Sequence, residues 1–318
     1  MLEGYGRSPR GDFEVIVADD GSGPETAELV RGLAAQFRHP LRHVWQPHDG
    51  FRLAAARNAA LRVAVGEVIV FTDGDCIPLP GSLDSPSRAC KQGHALTGGR
   101  CYLSEEETRS LLSREATVDD VLPGALAREG SGLRRERRKN RFHAFTKLKP
   151  RPKLLTANAA VHRLDLERVN GFDERFVGWG YEDEDLARRL RRVGVRIGDG
   201  SLESIVLHLF HPVHETHRPN ARGSANYAYF KQARYLTRPL RGLVARTPRD
   251  LGVELLGKVP GPLAHLSRSS APEPPEVSLC FGRKILGRRP RGEVVLRGLV
   301  SERFSGPEEL YRFLAVEL

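Results

Sequence analysis

The feature that most constrains this chain is a pair of short β-branched runs, each ending in carboxylates. Phe13-Glu14-Val15-Ile16-Val17-Ala18 leads into Asp19-Asp20-Gly21-Ser22, and Val68-Ile69-Val70-Phe71-Thr72 leads into Asp73-Gly74-Asp75. Short continuous apolar runs of this kind read as strands buried on both faces, which deliver the acids that follow to one edge of a sheet. Between them, residues 26–37 carry Leu29, Val30, Leu33 and Ala34 at helical spacing, residues 43–46 read as a brief strand, and the Ala-rich stretch 51–64 reads as a helix. Strand–helix–strand–helix–strand predicts an α/β fold with an open, mostly parallel sheet flanked by helices and its ligand at the strand C-terminal ends.

Residues 104–150 interrupt this pattern and predict a helical insertion, weak at Leu111-Leu112 and at 118–126 and mobile across Gly124–Gly132. Order resumes at residues 153–158, with a short helix at 164–169 and a stronger one at 183–193 whose core face is Leu186, Leu190 and Val193. A strand at 204–210 enters a cluster of His208, His211, His214 and His217. From Asn220 the chain reads as helical and polar, a Pro-rich linker covers 269–275, and 277–318 suits a small strand–helix unit. The expected division is one domain over 1–235, split into 13–103, 104–150 and 151–235, and an extension over 236–318.

The formal net charge is +10, which raises the question of nucleic acid. Ten of the basic residues and a single acid, Glu136, fall between Arg134 and Lys153, so the rest of the chain is close to neutral. A local basic segment of this kind suits a solvated face, a contact with an anionic membrane surface or a handle for an anionic acceptor; nucleic-acid binding is disfavoured. The four cysteines form no CxxC pair, no apolar run approaches a membrane span, and the first residues lack a signal-peptide core. The expected location is therefore cytoplasmic, with peripheral contact at the inner face of the membrane as an option.

Four constellations carry chemistry. Asp73 and Asp75 leave a strand together and can hold a divalent cation through oxygen, although a strand end often carries solvated aspartates. In Gly178-Trp179-Gly180-Tyr181-Glu182-Asp183-Glu184-Asp185, flanking glycines can present an indole face to a sugar ring, and the acids suit a helix N-terminus. The histidine cluster offers one or two imidazole ligands to a transition ion. Gly50 followed by residues 51–58 offers a phosphate or base cradle with Arg57 and Asn58 toward the sheet edge.

Taken together, VIVADDGS, GFRLAAARNAAL, VIVFTDGDCIP, NAAVHRLDLERVNGFDE and GWGYEDEDLARRL resemble a family 2 glycosyltransferase of GT-A fold. The second half is similar to the galactosyltransferase-type module of chondroitin-polymerase-like enzymes, and the resemblance covers roughly residues 13–235. It implies an inverting transfer of sugar from a UDP-linked nucleotide donor to a hydroxyl of a glycan-type acceptor, with Mn2+ or Mg2+. By the same resemblance Asp19, Asp20, Arg57, Asn58 and Asp73 border the nucleotide. Asp75, with Asp73, holds the metal together with His208 or, in the competing register, His211. Trp179, Gly180 and Asn158 line the sugar and acceptor pocket, Glu182 binds the acceptor, and Asp183 is the general base. Family members also carry a strand and helix before VIVADDGS; only Leu2-Glu3-Gly4-Tyr5 could belong to that helix, so the central strand between those ending at Asp20 and Asp73 is expected to be missing.

Three rivals stand beside this reading. A metal-dependent hydrolase or nucleotidyltransferase could use Asp73, Asp75 and His208 but leaves Gly178-Trp179-Gly180 without a purpose. A nucleic-acid or anion binder would use 134–153, with Phe142 and Phe145 stacking on bases. A catalytically impaired GT-A-like protein would keep the fold without a working base.

Overall fold

A computed structural model of the chain describes residues 1–146, 152–212, 223–231, 236–264, 266, 275–281, 294–299 and 304–318. His214, His217, residues 147–151 of the basic segment and most of the Pro-rich linker lie outside the described residues.

The first part follows the predicted alternation: α1 (Leu2–Gly6), β1 (Val15–Asp19), α2 (Pro24–Ala34), β2 (Leu41–Trp45), α3 (Leu53–Val63) and β3 (Val68–Thr72). Pro24 opens α2, where its missing N–H is no loss. β1 and β2 run parallel, with Val15 opposite Leu41 and Asp19 opposite Trp45. After β3 come β4 (Cys76–Pro78), α4 (Asp84–Ala89), β5 (His94–Tyr102), α5 (Glu105–Leu112) and α6 (Val118–Thr146). β6 (Asn158–His162), α7 (Arg163–Arg168), α8 (Glu182–Arg192), β7 (Arg196–His208) and α9 (Ala225–Lys231) complete this part.

The larger sheet has the order β3-β6-β5-β7-β4. β5 and β7 are parallel, whereas β3–β6, β5–β6 and β4–β7 are antiparallel. The expectation of a mostly parallel sheet thus holds for β1 and β2 and fails here. β6 is reached only after α5 and α6, and helical spacing nearer the N-terminus says nothing about the direction in which so long an excursion returns. The helices cover an apolar core that includes Phe71, Val161, Leu166, Phe172, Leu186 and Leu190.

α6 also departs from expectation. The stretch read as mobile across Gly124–Gly132 is the middle of a single 29-residue helix. Val121 and Ala125 bury against Cys101, Leu103 and Leu207, and that tertiary packing outweighs the helix penalty of the glycines. Between Asn220 and the Pro-rich linker the helical reading reduces, among the described residues, to α9 and two short 3-10 turns.

The sheet has a break where the resemblance sets a further strand. Among the described residues β1 pairs with β2 alone and β3 with β6 alone. Ile16, Val17, Ile69 and Val70 accordingly remain half-buried, and Ala18 is exposed. α3 spans the two parts: it packs on β1 and β2, while its Asn58 amide donates to the Phe172 carbonyl and accepts from the Phe172 N–H, both at 2.9 Å.

The C-terminal region forms a parallel sheet of β8 (Val253–Gly257), β9 (Val277–Phe281) and β10 (Val294–Leu299), in the order β10-β9-β8, covered by α10 (Pro307–Glu317). Its own core gathers Leu255, Leu263, Leu279, Phe281, Leu310 and Leu314. The strand–helix unit expected over 277–318 is therefore the later part of a larger α/β layer. Asn170 ties it to the rest, its side chain donating to the carbonyls of Pro239 and Val244 at 2.9 Å.

Candidate active site

α8 starts at Glu182, so Glu182, Asp183, Glu184 and Asp185 occupy its first turn, where the helix dipole favours negative charge. Gly178 and Gly180 approach it with φ of 82° and 97°, left-handed steps that glycine takes without steric cost; Tyr181 follows at 74°. The Gly178 N–H donates to the Phe51 carbonyl at 2.7 Å, which ties this loop to the residues just before α3. Behind the turn, the buried Arg189 donates to Asp185 at 2.7 Å and to the carbonyls of Val169 and Gly171 at 2.8 and 2.7 Å. The acidic end of α8 is thereby held rigidly against the NGF turn.

Arg57, on α3, is the centre of the site. Its guanidinium lies 3.2 Å from Asp73, 3.3 Å from Asp183 and 3.6 Å from Glu182, and rests over the Phe172 ring. The carboxylate expected beside the nucleotide and the two expected beside the acceptor thus share one buried cation. Asp183 also accepts from the Thr156 N–H at 3.0 Å and from the Thr156 hydroxyl. Glu182 is pushed up to about 7 by burial and then by the charge of Asp183, with Arg57 acting in the opposite sense. Close to neutral pH, Glu182 can therefore either hold or release a proton.

A second group forms at the ends of β4 and β7. Asp75 Oδ2 stands 3.5 Å from His208 Nε2 and 3.2 Å from His211 Nε2, so the two competing histidine registers meet at one carboxylate. Cys76, opposite His208 in the β4–β7 register, joins them: ligand atoms of Asp75, Cys76 and His208 lie within 4.8 Å of one another. The sequence reading passed over Cys76; its one signal was its place directly after the acid. Burial, followed by the charges of Asp75 and Asp73, pushes its thiol far up, which keeps it protonated in the absence of a metal. One carboxylate oxygen and two imidazole nitrogens suit a divalent transition ion. Asp73, expected as a further ligand, turns to Arg57 instead.

Several other expected residues serve the fold in this structure. Asn58 is fully buried, and its amide is used by Phe172 and Glu174, which takes it out of the nucleotide border. Asn158 is also buried, donating to the carbonyls of Gly99 and Ser204 at 2.8 and 2.9 Å, so it clamps β5 to β7 and does not line a sugar pocket. Asp19 accepts from the Ser22 N–H and pairs with His43, both at 2.8 Å. Burial acts to raise Asp19, but these hydrogen bonds outweigh it and hold the carboxyl below its ordinary value. Asp20 accepts from the Gln46 amide and the Arg52 N–H, which shapes the turn into α3. Trp179 is 42% exposed and Phe51 47%, leaving two aromatic surfaces on loops joined by the Gly178–Phe51 bond. The Gly180 carbonyl accepts from Asn226 at 3.0 Å, a contact the sequence did not announce.

The family model for glycosyl transferase family 2 matches residues 3–167. The chain belongs to this family. The match takes in both acid-ending strands, α3 and β6, so the α/β class of GT-A type holds for this family 2 chain with the mixed pairing described above. A second model, the N-terminal domain of galactosyltransferase, matches residues 136–214, which contain the acidic turn of α8, His208 and His211. Among curated proteins, validoxylamine A glucosyltransferase of Streptomyces hygroscopicus subsp. jinggangensis (strain 5008) is 31% identical over 193 residues, 58% of this chain and 45% of that protein. Chondroitin synthase of Escherichia coli is 31% identical over 196 residues, 58% of this chain and 28% of that protein. Among solved structures, S. aureus TarS aligns with a TM-score of 0.44 at 15% identity, over 67% of this chain and 34% of that one. The chain spans less than half the length of these curated relatives.

Proposed function

We propose that this family 2 chain is a metal-dependent, inverting glycosyltransferase that moves a sugar from a UDP-linked donor to a hydroxyl of a glycan-type acceptor. The observation that carries the reading is Arg57, which holds Asp73, two residues from the metal-type group, and Asp183, the best-placed base, on one guanidinium. Donor and acceptor chemistry would then meet across a single side chain.

In this reading Asp183 accepts the proton of the attacking hydroxyl. Its bonds to Thr156 and Arg57 fix its orientation. Glu182 holds a second acceptor hydroxyl, as donor or acceptor according to its own proton. Trp179 and Phe51 offer apolar faces to sugar rings. Asp75, His208 and His211 would hold a divalent ion, whose chemistry when bound is to neutralise charge on the departing diphosphate. The imidazole nitrogens favour Mn2+ over Mg2+, which prefers an all-oxygen shell. The chemistry needs one base, and no nucleophile is called for. Support also comes from the relatives, one named a glucosyltransferase and another a chondroitin synthase.

The test combines thermal denaturation with transfer assays. UDP with Mn2+ at about a hundred times its dissociation constant should stabilise the chain by about 2.7 kcal/mol. Asp183→Asn should keep that shift and abolish transfer, whereas Asp75→Ala should lose the metal-dependent part of the shift. The reverse pattern would overturn the assignment of base and metal ligand.

A further inference from the structure

The C-terminal half of α6 has no place in the transfer chemistry proposed above, yet residues 134–141 carry six basic side chains and a single acid. The side of this helix that faces the sheet is fixed by buried Val121 and Ala125 and, further on, by Asn140, which bonds to Asp199 on β7. At about 100° per residue, the direction opposite these positions is shared by Arg134, Arg138, Arg141, Phe142 and Phe145, within an arc of about 100°. The structure agrees: all five side chains are exposed, Phe142 at 57% and Phe145 at 88%.

The arginines on this face are uncompensated. Arg137, nearer the sheet, pairs with Glu203, and Lys139 with Glu136 at 3.8 Å. Among the described residues no acid pairs with Arg134, Arg138 or Arg141. Together with Ser131, Arg137 and Leu202 they line a groove of about 500 Å³. A face kept outward only for solubility would carry paired charges of both signs and would not carry two exposed phenylalanines one turn apart.

We propose that this face of α6 docks on an anionic phospholipid bilayer, lying flat in the headgroup layer. The arginines would meet lipid phosphates, which accept from guanidinium N–H groups, while Phe142 and Phe145 enter the boundary of the acyl chains. A bilayer fits better than a nucleic-acid strand because two exposed phenylalanines flank the arginines on the same helix face, apolar surface that a bilayer can take up. Among the described residues Phe142 has a ring contact with its neighbour His143 and no second aromatic wall to sandwich a base. Among the described residues no helix is long and apolar enough to cross a membrane.

The test is co-sedimentation of the full chain with vesicles of phosphatidylcholine alone and of phosphatidylcholine with about a third phosphatidylglycerol, at about 0.15 M salt. The chain should bind the anionic vesicles and leave the neutral ones. Each arginine near such a surface multiplies binding about fivefold, so replacing Arg134, Arg138 and Arg141 together by Gln should weaken it on the order of a hundredfold. Replacing Phe142 and Phe145 together by Ser should weaken it roughly tenfold, through loss of apolar insertion. Both variants change exposed positions, and an unchanged melting midpoint confirms that they fold. Absence of binding to anionic vesicles overturns the proposal. So does binding that ignores the phenylalanine pair, or tighter retention of a single-stranded oligonucleotide at the same salt, since either makes the face a site for polyanions in general.

Discussion

Glu182 carries the clearest energetic signature of the site. It sits in the first turn of α8 with its side chain 12% exposed, faces Arg57 at 3.6 Å, and is raised from an ordinary 4.5 to about 7. The folded carboxyl therefore holds its proton to higher pH than the unfolded one. Between these two values the folded state binds more protons, so this group contributes a loss of stability as pH rises through the window. At about 1.4 kcal/mol per pH unit of separation, the cost of ionising Glu182 reaches about 3 kcal/mol once pH exceeds both values. Glu182→Gln removes that titration and little volume. The variant should match the parent near pH 4, below the unfolded value, and exceed it progressively above, by about 3 kcal/mol near pH 8. In a chain of this size that is a gain of roughly 5 °C in melting midpoint. The assay is thermal denaturation of both proteins across the same buffers, without nucleotide or metal, so that groups common to both cancel. A difference that stays flat with pH would show that Glu182 is not held in its raised state by burial and Asp183, and the reasoning would fail.

Arg57→Met removes the cation that faces Asp73, Glu182 and Asp183, and breaking a buried ion pair from one side costs about 3–5 kcal/mol. The loss, read by urea denaturation, should be larger at pH 8 than at pH 6, because Glu182 escapes repulsion by keeping its proton at the lower pH. Asn158→Ala leaves the buried carbonyls of Gly99 and Ser204 without their donor, at about 1–3 kcal/mol for each such group. It should lower the urea midpoint strongly; a change of a few tenths of a kcal/mol would return Asn158 to the pocket.

What could be read from the sequence follows the range of the interactions. The strands ending at Asp19 and at Thr72 were legible because an apolar run with an acidic end is a local signal, and the acidic turn of α8 was legible for the same reason. Asp75 reads as a metal ligand, and two histidines more than a hundred residues further along the chain do come to it, although the motif alone leaves their register open. The direction of β6 was hidden, since pairing is decided by where a long excursion returns. Asn58 and Asn158 mislead for a related reason: their motifs fix the residue type, but only packing decides whether an amide faces a cavity or clamps main chain. Cys76 was missed because a lone cysteine acquires meaning only from the strand placed opposite it.

The break between β1 and β3 has a mechanical consequence. Among the described residues no backbone ladder crosses it, so the strand pair bearing Asp19 and Asp20 is coupled to the sheet bearing Asp75 chiefly through α3. Local opening of that pair is then set by helix packing and by the Asn58 clamp, and amide exchange should separate the two parts into different protection classes. A nucleotide lying across both would act as a splint, slowing exchange in β1 and β2 while leaving the five-stranded sheet almost unchanged.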